Sequence, residues 1–144
     1  MLDRVPDAEI DGNPASELLL APTRIYVKPV LSLLQSITAK GLAHITGGGI
    51  TENIPRVLQG AVDAEIDTSS WARGAVFDWL AKTGNIETAE MRRTFNCGVG
   101  MVVIVDANDA DKAIQILNEQ GESAWQIGRI IAGEADSPRA VQYV

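Results

Sequence analysis

A nearly continuous apolar run at residues 99 to 105, VGMVVIV, constrains the fold of this chain more than any other stretch. It is rich in β-branched side chains that do not alternate with polar ones, a pattern typical of a strand buried on both faces. Its longest uninterrupted part, residues 101 to 105, is far too short to cross a bilayer. We therefore expect a central strand with other elements packed against it.

Further strands are predicted on both sides of this run. Residues 42–46, LAHIT, form a short apolar segment, and residues 61–67, AVDAEID, alternate in polarity. The complete set of predicted strands is 42–46, 61–67, 99–105, 124–133 and 139–144. Between the first two, ENIPRVL is predicted as a turn, because Pro55 disfavours a long helix through it.

Apolar residues at helical spacing predict three helices. The first runs from Val27 to Ile37, the second follows a cap at Ser69 or Ser70, and the third opens at Asn108 and Asp109. Glycines are expected to end them, at Gly41, Gly84 and Gly121. The residues expected to face inward from the second and third helices are Val76, Phe77, Leu80, Ala110, Ala113, Ile114 and Leu117.

Strands and helices thus alternate along most of the chain. Residues 1–22 show no sustained period and are expected to be a lead-in or linker, which leaves a domain over residues 23–144. The alternation, with two adjacent strands at the end, predicts an α+β fold in which helices pack on a mixed sheet.

Charge and cysteine content exclude several classes of protein. The net charge is −7 and the isoelectric point is about 4.6, which argues against nucleic-acid binding and against anionic membranes. An anionic ligand must therefore be held by local donors. Cys97 is the single cysteine, so no internal disulfide is possible, and with no signal sequence at the start we expect a cytoplasmic protein.

Three successive glycines, Gly47 to Gly49, follow the first predicted strand. They are not a Walker loop, because Ile50, Thr51 and Glu52 stand where that loop needs a lysine and a hydroxyl residue. Two readings stay open: a tight turn at the end of a strand, or an anion site in which amide groups converge. Asn53 and Arg56 lie within reach of a ligand held there.

Two further features bear on chemistry. His44 is the only histidine, so we expect no metal site, and a Cys97–His44 dyad has no identifiable third member. The segment EMRRTFNCGVGM, residues 90–101, places polar groups before the apolar strand and glycines at its entrance. Those glycines indicate either a ligand brought against the backbone or a bulged strand start.

Three segments, taken in order and spacing, resemble the C-terminal domain of the aminoimidazole ribonucleotide synthetase (phosphoribosylformylglycinamidine cyclo-ligase) family. They are LLAPTRIYVKPVL, AHITGGGITENIPRVL and EMRRTFNCGVGM, and AWQIGRI is similar to a late strand of the family. The resemblance runs from about Leu18 to the end of the chain. It implies a three-layer α/β/α arrangement related to the ferredoxin-like fold.

The resemblance also implies a function. The family closes the imidazole ring of formylglycinamidine ribonucleotide in purine biosynthesis, using ATP and Mg²⁺, and its full-length members are homodimers. Nothing here resembles the family's N-terminal ATP-binding domain, so we expect a fragment that is inactive alone and binds neither ATP nor Mg²⁺ tightly. The alternative is a free-standing phosphate- or nucleotide-binding or regulatory domain of the same superfamily.

Site residues follow from the resemblance position by position. The set implied to bind substrate or phosphate is Arg24, His44, Thr46, Gly47, Gly48, Gly49, Asn53, Arg56, Glu90, Thr94 and Asn96. Which of them contact ATP and which contact the ribonucleotide is left open, and no catalytic residue is assigned.

Overall fold

A computed structural model describes residues 8–144 of the chain. The helices in this part are α1 (Ala15–Leu19), α2 (Val27–Leu34), α3 (Gly49–Asn53), α4 (Ala75–Gly84), α5 (Thr88–Thr94) and α6 (Ala110–Glu119). The strands are β1 (Glu9–Ile10), β2 (Asn13–Pro14), β3 (Gly41–His44), β4 (Val62–Ile66), β5 (Met101–Ile104), β6 (Gly128–Ala132) and β7 (Val141–Tyr143). Single 3₁₀ turns, Pro55–Val57 and Ala107–Asp109, follow α3 and precede α6.

The strands form small sheets of mixed pairing. β1 and β2 make a short antiparallel hairpin, and β3 pairs antiparallel with β5. β4 is the centre of a third sheet, with β6 antiparallel on one side and β7 parallel on the other. The predicted α+β class is confirmed, and the last two strands lie on either side of β4.

The strand predicted over residues 99–105 is present, but it is shorter than predicted and is not central in a sheet. β5 covers only Met101–Ile104 and, within the described residues, pairs with β3 alone. Only Val102 of this strand is fully buried. Residues of β5 also line a cavity of about 910 Å³, together with residues 122–130. The run is apolar because it contacts both apolar clusters: Val99 and Val102 belong to the larger one, and Val103 and Val105 pack against the smaller one.

Two apolar clusters hold the described elements together. The larger joins β3, α3, β4 and the strand entrance at Val99, and its buried members are Ala43, Ile45, Ile50, Ile54, Leu58, Ala64, Ile66, Val99 and Val102. The smaller lies between α2 and α6 and contains Leu33, Ile37 and Ala113. Both clusters leave the glycines after β3 at the edge of the core.

Several element boundaries differ from the sequence predictions. α4 begins at Ala75 with Gly74 at its N-cap, and the hydroxyls of Ser69 and Ser70 bond Asp67 instead of capping a helix. The segment predicted as a turn is the short helix α3 followed by a 3₁₀ turn, since Pro55 is accommodated at the start of the second helical piece. α5 was not predicted at all.

Part of the segment expected to be a lead-in is folded. The β1–β2 hairpin and α1 lie within residues 9–19, and Ile10 and Ala15 are buried. Over residues 8–144, every helix is too short or too polar to cross a membrane.

Candidate functional site

The glycine loop, Thr46–Gly49, connects β3 to α3. The amide of Gly49 donates to the carbonyl of Thr46 at 2.9 Å, which closes a tight turn. Gly48 and Gly49 have positive φ angles of 98° and 56°, a region that L side chains rarely adopt. A Cβ on Gly47 would meet nothing within 4 Å. Backbone conformation thus requires glycine at Gly48 and Gly49, whereas nothing among residues 8–144 requires it at Gly47.

Gly49 is required by packing between helices. A Cβ at this position would overlap the carbonyl oxygens of Arg92 and Phe95 at the end of α5. The contact is reinforced by the hydroxyl of Thr51, which donates to the Arg92 carbonyl at 3.2 Å. This carbonyl lies in the last turn of a helix, where it lacks an intrahelical partner. The bare backbone at Gly49 thus seats α3 on the end of α5.

The side chain of Asn53 stabilises the glycine loop by hydrogen bonds to its carbonyl groups. Its side chain is buried, and its Nδ2 donates to the carbonyls of Gly49 at 2.8 Å, Gly47 at 3.2 Å and Thr46 at 3.4 Å. Its Oδ1 accepts a hydrogen bond from Arg56 at 3.1 Å. The amide group of Asn53 is therefore committed to loop carbonyls and to Arg56.

The outer side of the loop carries free donors and one carboxylate. Among residues 8–144, no protein carbonyl accepts from the amides of Gly47 and Gly48. The Glu52 carboxylate lies close to this surface, since a Cβ on Gly48 would be 2.9 Å from its Oε2. The same carboxylate is 3.5 Å from the guanidinium of Arg56. Glu52 therefore occupies part of the space that an external anion would need.

His44 lies two residues before the glycine loop at the exposed end of β3. Its ring meets the Tyr26 ring edge to face, with centroids 5.9 Å apart and an interplanar angle of 68°. A Cβ on Gly100 would overlap the Tyr26 hydroxyl, so that glycine makes room for the ring. Burial raises the pKa of Tyr26 above its usual value. At Gly100 the group brought against the backbone is thus the Tyr26 side chain, which neither of the two predicted readings included.

The second predicted motif contributes an exposed polar cluster on α5. The Glu90 carboxylate accepts from Arg93 at 2.8 Å and from the Thr94 hydroxyl at 2.8 Å. These hydrogen bonds lower the pKa of Glu90, and the one from Arg93 has the larger effect. Arg93, which sequence reasoning did not assign to the site, also interacts electrostatically with Glu52. The polar cluster on α5 therefore lies within electrostatic range of Glu52.

The remaining assigned residues have local structural partners. Asn96 accepts from the amide of Gly98 at 3.1 Å and so shapes the turn into β5. Arg24 pairs with Glu122 at 2.7 Å and donates to the carbonyl of Gly121 at 2.6 Å. In the part of the chain that the structure describes, none of its bonds reaches the glycine loop.

Cys97 is buried, and among residues 8–144 its thiol bonds a backbone carbonyl and no general base. Its thiol donates to the carbonyl of Met91 at 3.4 Å, and burial raises its pKa. A raised pKa keeps a thiol protonated and unreactive. Within the described residues no hydrogen bond joins Cys97 to His44, so the dyad considered from the sequence is not formed.

The fold and these motifs coincide with a known domain family. The family model of AIR synthase related protein, C-terminal domain, matches residues 1–140. The chain therefore belongs to this family.

Individual relatives carry a more specific name. Phosphoribosylformylglycinamidine cyclo-ligase from Neisseria meningitidis serogroup C is 56% identical over 131 residues, which cover 90% of this chain and 38% of the relative. The protein of that name from Methylobacillus flagellatus is 53% identical over 135 residues, covering 94% of this chain and 39% of its own length. The one from Nitrosococcus oceani is 56% identical over 123 residues, which cover 85% and 34% of the two chains.

The length difference is as informative as the identity. This chain spans 38% of the Neisseria relative, so more than half of that relative has no counterpart here.

Proposed function

We propose that this chain is the C-terminal part of a phosphoribosylformylglycinamidine cyclo-ligase, which closes the imidazole ring of aminoimidazole ribonucleotide with ATP. The observation that carries the proposal is 56% identity over 90% of the chain to relatives of that name. The complete enzyme acts in the cytoplasm on ATP and formylglycinamidine ribonucleotide, as a homodimer. Its C-terminal domain has a three-layer α/β/α arrangement related to the ferredoxin-like fold.

The chemistry needs positioned donors more than a nucleophile. Phosphorylation of the formyl amide oxygen makes it a good leaving group, and a substrate nitrogen then attacks the activated carbon. Donors aimed at the developing negative charge lower the barrier of such steps. The free amides of Gly47 and Gly48 and the guanidinium of Arg56 are suited to this task. Thr46, His44, Glu90, Thr94, Asn96 and Arg24 complete the proposed binding set, with Asn53 holding the loop.

ATP and Mg²⁺ belong to the complete enzyme in this proposal. No group of three or more His, Cys, Asp or Glu side chains suited to a metal occurs within residues 8–144. Mg²⁺ is usually held by one or two carboxylates together with the phosphate oxygens of a bound nucleotide, so tight binding of the ion would also need the nucleotide site of the complete enzyme. We therefore propose that this chain alone binds neither tightly.

The surface of α2 supports the existence of a missing part. Val27, Leu31 and Leu34 recur at helical spacing and are 60%, 57% and 41% exposed, while Leu33 on the opposite face is fully buried. A helix that is apolar on both faces is normally covered on both. We propose that the portion of the cyclo-ligase absent from this chain packs on this α2 stripe.

The purified chain is expected to show no ring closure, because its nucleotide-binding half is missing. Adding the separately produced remainder of the relative's polypeptide should restore turnover, measured as ATP-dependent formation of aminoimidazole ribonucleotide. Leu31→Glu should reduce this restored rate by about tenfold or more, since it places a charge in an apolar contact. Lys112→Glu, which puts the same residue on an exposed face of α6, is the control.

The outcomes separate the proposal from its main alternative. Turnover by the chain alone would contradict the fragment assignment. A free-standing binding or regulatory module would bind phosphate yet never yield turnover with the added remainder. Equal losses in the two glutamate variants would show that the α2 stripe is not the contact surface.

Phosphate is expected to bind weakly at the glycine loop, with a Kd on the order of millimolar, because the net charge opposes it. The amide resonances of Gly47 and Gly48 should shift first in a phosphate titration. Glu52→Gln should tighten binding by removing the competing carboxylate, and Arg56→Ala should weaken it. Glu119→Gln, at the end of α6, makes the same charge change as a control. If the amide resonances of the loop do not shift, or if Glu52→Gln and Glu119→Gln increase the phosphate affinity equally, the loop is a turn and not an anion site.

A further inference from the structure

A separate cavity of about 350 Å³ lies between α5, the segment 68–73 and β7. One part of its wall is aromatic, with Trp71, Phe95 and Tyr143, and another is cationic, with Arg73 and Arg92. None of the residues assigned to the glycine loop site lines it. We call this cavity the Arg92 pocket.

Arg92 is the unusual residue of this pocket. Its guanidinium carbon lies 4.2 Å from the centroid of the Tyr143 ring. Within residues 8–144 it has no carboxylate at ion-pair distance, whereas the neighbouring Arg93 is paired with Glu90. A planar guanidinium offers five N–H donors, and stacking on an aromatic face leaves its edge free to donate. Arg92 is thus a cation without a protein anion, at the wall of a cavity.

The net charge of the pocket is positive. Arg73 and Asp78 both line it and pair with each other at 2.7 Å, so their charges largely cancel. Arg92 then leaves one uncompensated positive charge. Other cations among residues 8–144, such as Lys28 and Arg139, also lack an ion-pair partner, but neither of them lines this cavity. One positive charge matches a monoanion better than a dianion.

The pocket is also held rigidly. The Tyr143 hydroxyl and the Thr51 hydroxyl are 2.7 Å apart, and Thr51 also donates to the Arg92 carbonyl. The indole nitrogen of Trp71 donates to the carbonyl of Cys97 at 2.9 Å, which fixes the second aromatic wall. Groups fixed before binding lose little conformational freedom on binding.

We propose that the Arg92 pocket binds a small planar monocarboxylate of the benzoate class. The Arg92 edge takes the carboxylate through two parallel N–H···O bonds, and the ring lies against the aromatic walls. A cavity of about 350 Å³ is at the small end of ligand sites, which limits the ligand to about the size of a single substituted ring. This binding is independent of ring-closing activity and of the glycine loop.

Benzoate itself is the probe. Titrating it into the intact chain should shift the amide resonances of Thr51, Arg92, Phe95 and Tyr143 saturably, with a Kd on the order of millimolar. Arg92→Gln should weaken this binding by about tenfold or more, because it removes the charge and the bidentate fork. Arg93→Gln removes an equal charge from the next residue of α5 and should change the Kd by less than about twofold.

Further outcomes decide the assignment. Equal weakening by the two glutamine variants would overturn the pocket and indicate general attraction to α5. Shifts centred on Gly47 and Gly48 would place benzoate at the glycine loop instead. Displacement of benzoate by an equal concentration of phosphate would overturn the preference for a planar monocarboxylate, and absence of saturation up to about 50 mM would overturn binding altogether. Arg92→Lys, which keeps the charge without the fork, should recover less than half of the lost affinity.

Discussion

Gly49→Ala is expected to destabilise the protein severely, by on the order of 3 kcal/mol or more. The new Cβ would meet two backbone carbonyl oxygens of α5, those of Arg92 and Phe95, and neither has a flexible end that could move aside. Alanine would also be strained at a φ of 56°. α3 would have to move away from α5, breaking the Thr51 contact. Urea unfolding followed by circular dichroism measures the loss.

Gly47→Ala is the matched control for this prediction. It makes the same chemical change two residues earlier, where a Cβ meets nothing within 4 Å and φ is not positive. Its effect should stay within about 0.5 kcal/mol. Similar losses for the two variants would mean that α3 and α5 are not in the contact described.

Asn53→Asp is expected to cost about 3 kcal/mol at neutral pH, although it hardly changes the size of the side chain. The amide nitrogen that donates to three loop carbonyls would become an acceptor facing them. The side chain is only 7% exposed, so water cannot replace the lost donors. The free energy of unfolding, compared with the parent chain, gives the cost. Asn118→Asp, at an exposed position that bonds Ala124, should cost far less.

The loss from Asn53→Asp should depend on pH. Burial among carbonyls favours the neutral acid, so the pKa of the introduced group should rise above its unfolded value of about 3.9. The folded state then binds more protons than the unfolded state, and stability relative to the parent falls as pH rises from about 4 through the folded pKa. Unfolding at a series of pH values measures the difference in free energy of unfolding between the variant and the parent chain. If this difference is constant across that pH range, the introduced carboxylate is not buried at the loop.

The glycine loop shows how far sequence reasoning reaches. Three consecutive glycines after a strand predicted a tight turn or an anion site; the turn is present, and two of the glycines have positive φ. The approaching group at Gly49 is the end of α5, a helix that the sequence did not predict. Its residues, Thr88–Thr94, carry only one fully buried side chain, Met91, so they show no apolar period. A contact between segments distant in sequence cannot be read from either segment alone.

Hydrophobic patterns predicted where several elements lie but not how the strands pair. Alternation at residues 61–67 correctly placed β4, and helical spacing correctly placed α2 and α6. The continuous apolar run at β5 correctly indicated contact with apolar groups on both faces, but it did not show that the strand pairs on one edge only, because periodicity reports which residues avoid water and not which strands pair. Asn53 illustrates the same limit at the site. Its position beside the loop was predicted, but its three bonds to loop carbonyls depend on the backbone path.

The exposed α2 stripe has a practical consequence for measuring stability. Reporter dyes that fluoresce on apolar surfaces would bind Val27, Leu31 and Leu34 of the folded chain. The dye fluorescence in a thermal melt would therefore already be high before the chain unfolds. Brightness at low temperature would then indicate this surface and not a loosely packed interior. The sharpness of the transition by circular dichroism reports on the core independently of the dye. Loss of the initial fluorescence in Leu31→Glu, with an unchanged dichroism transition, would separate the two signals.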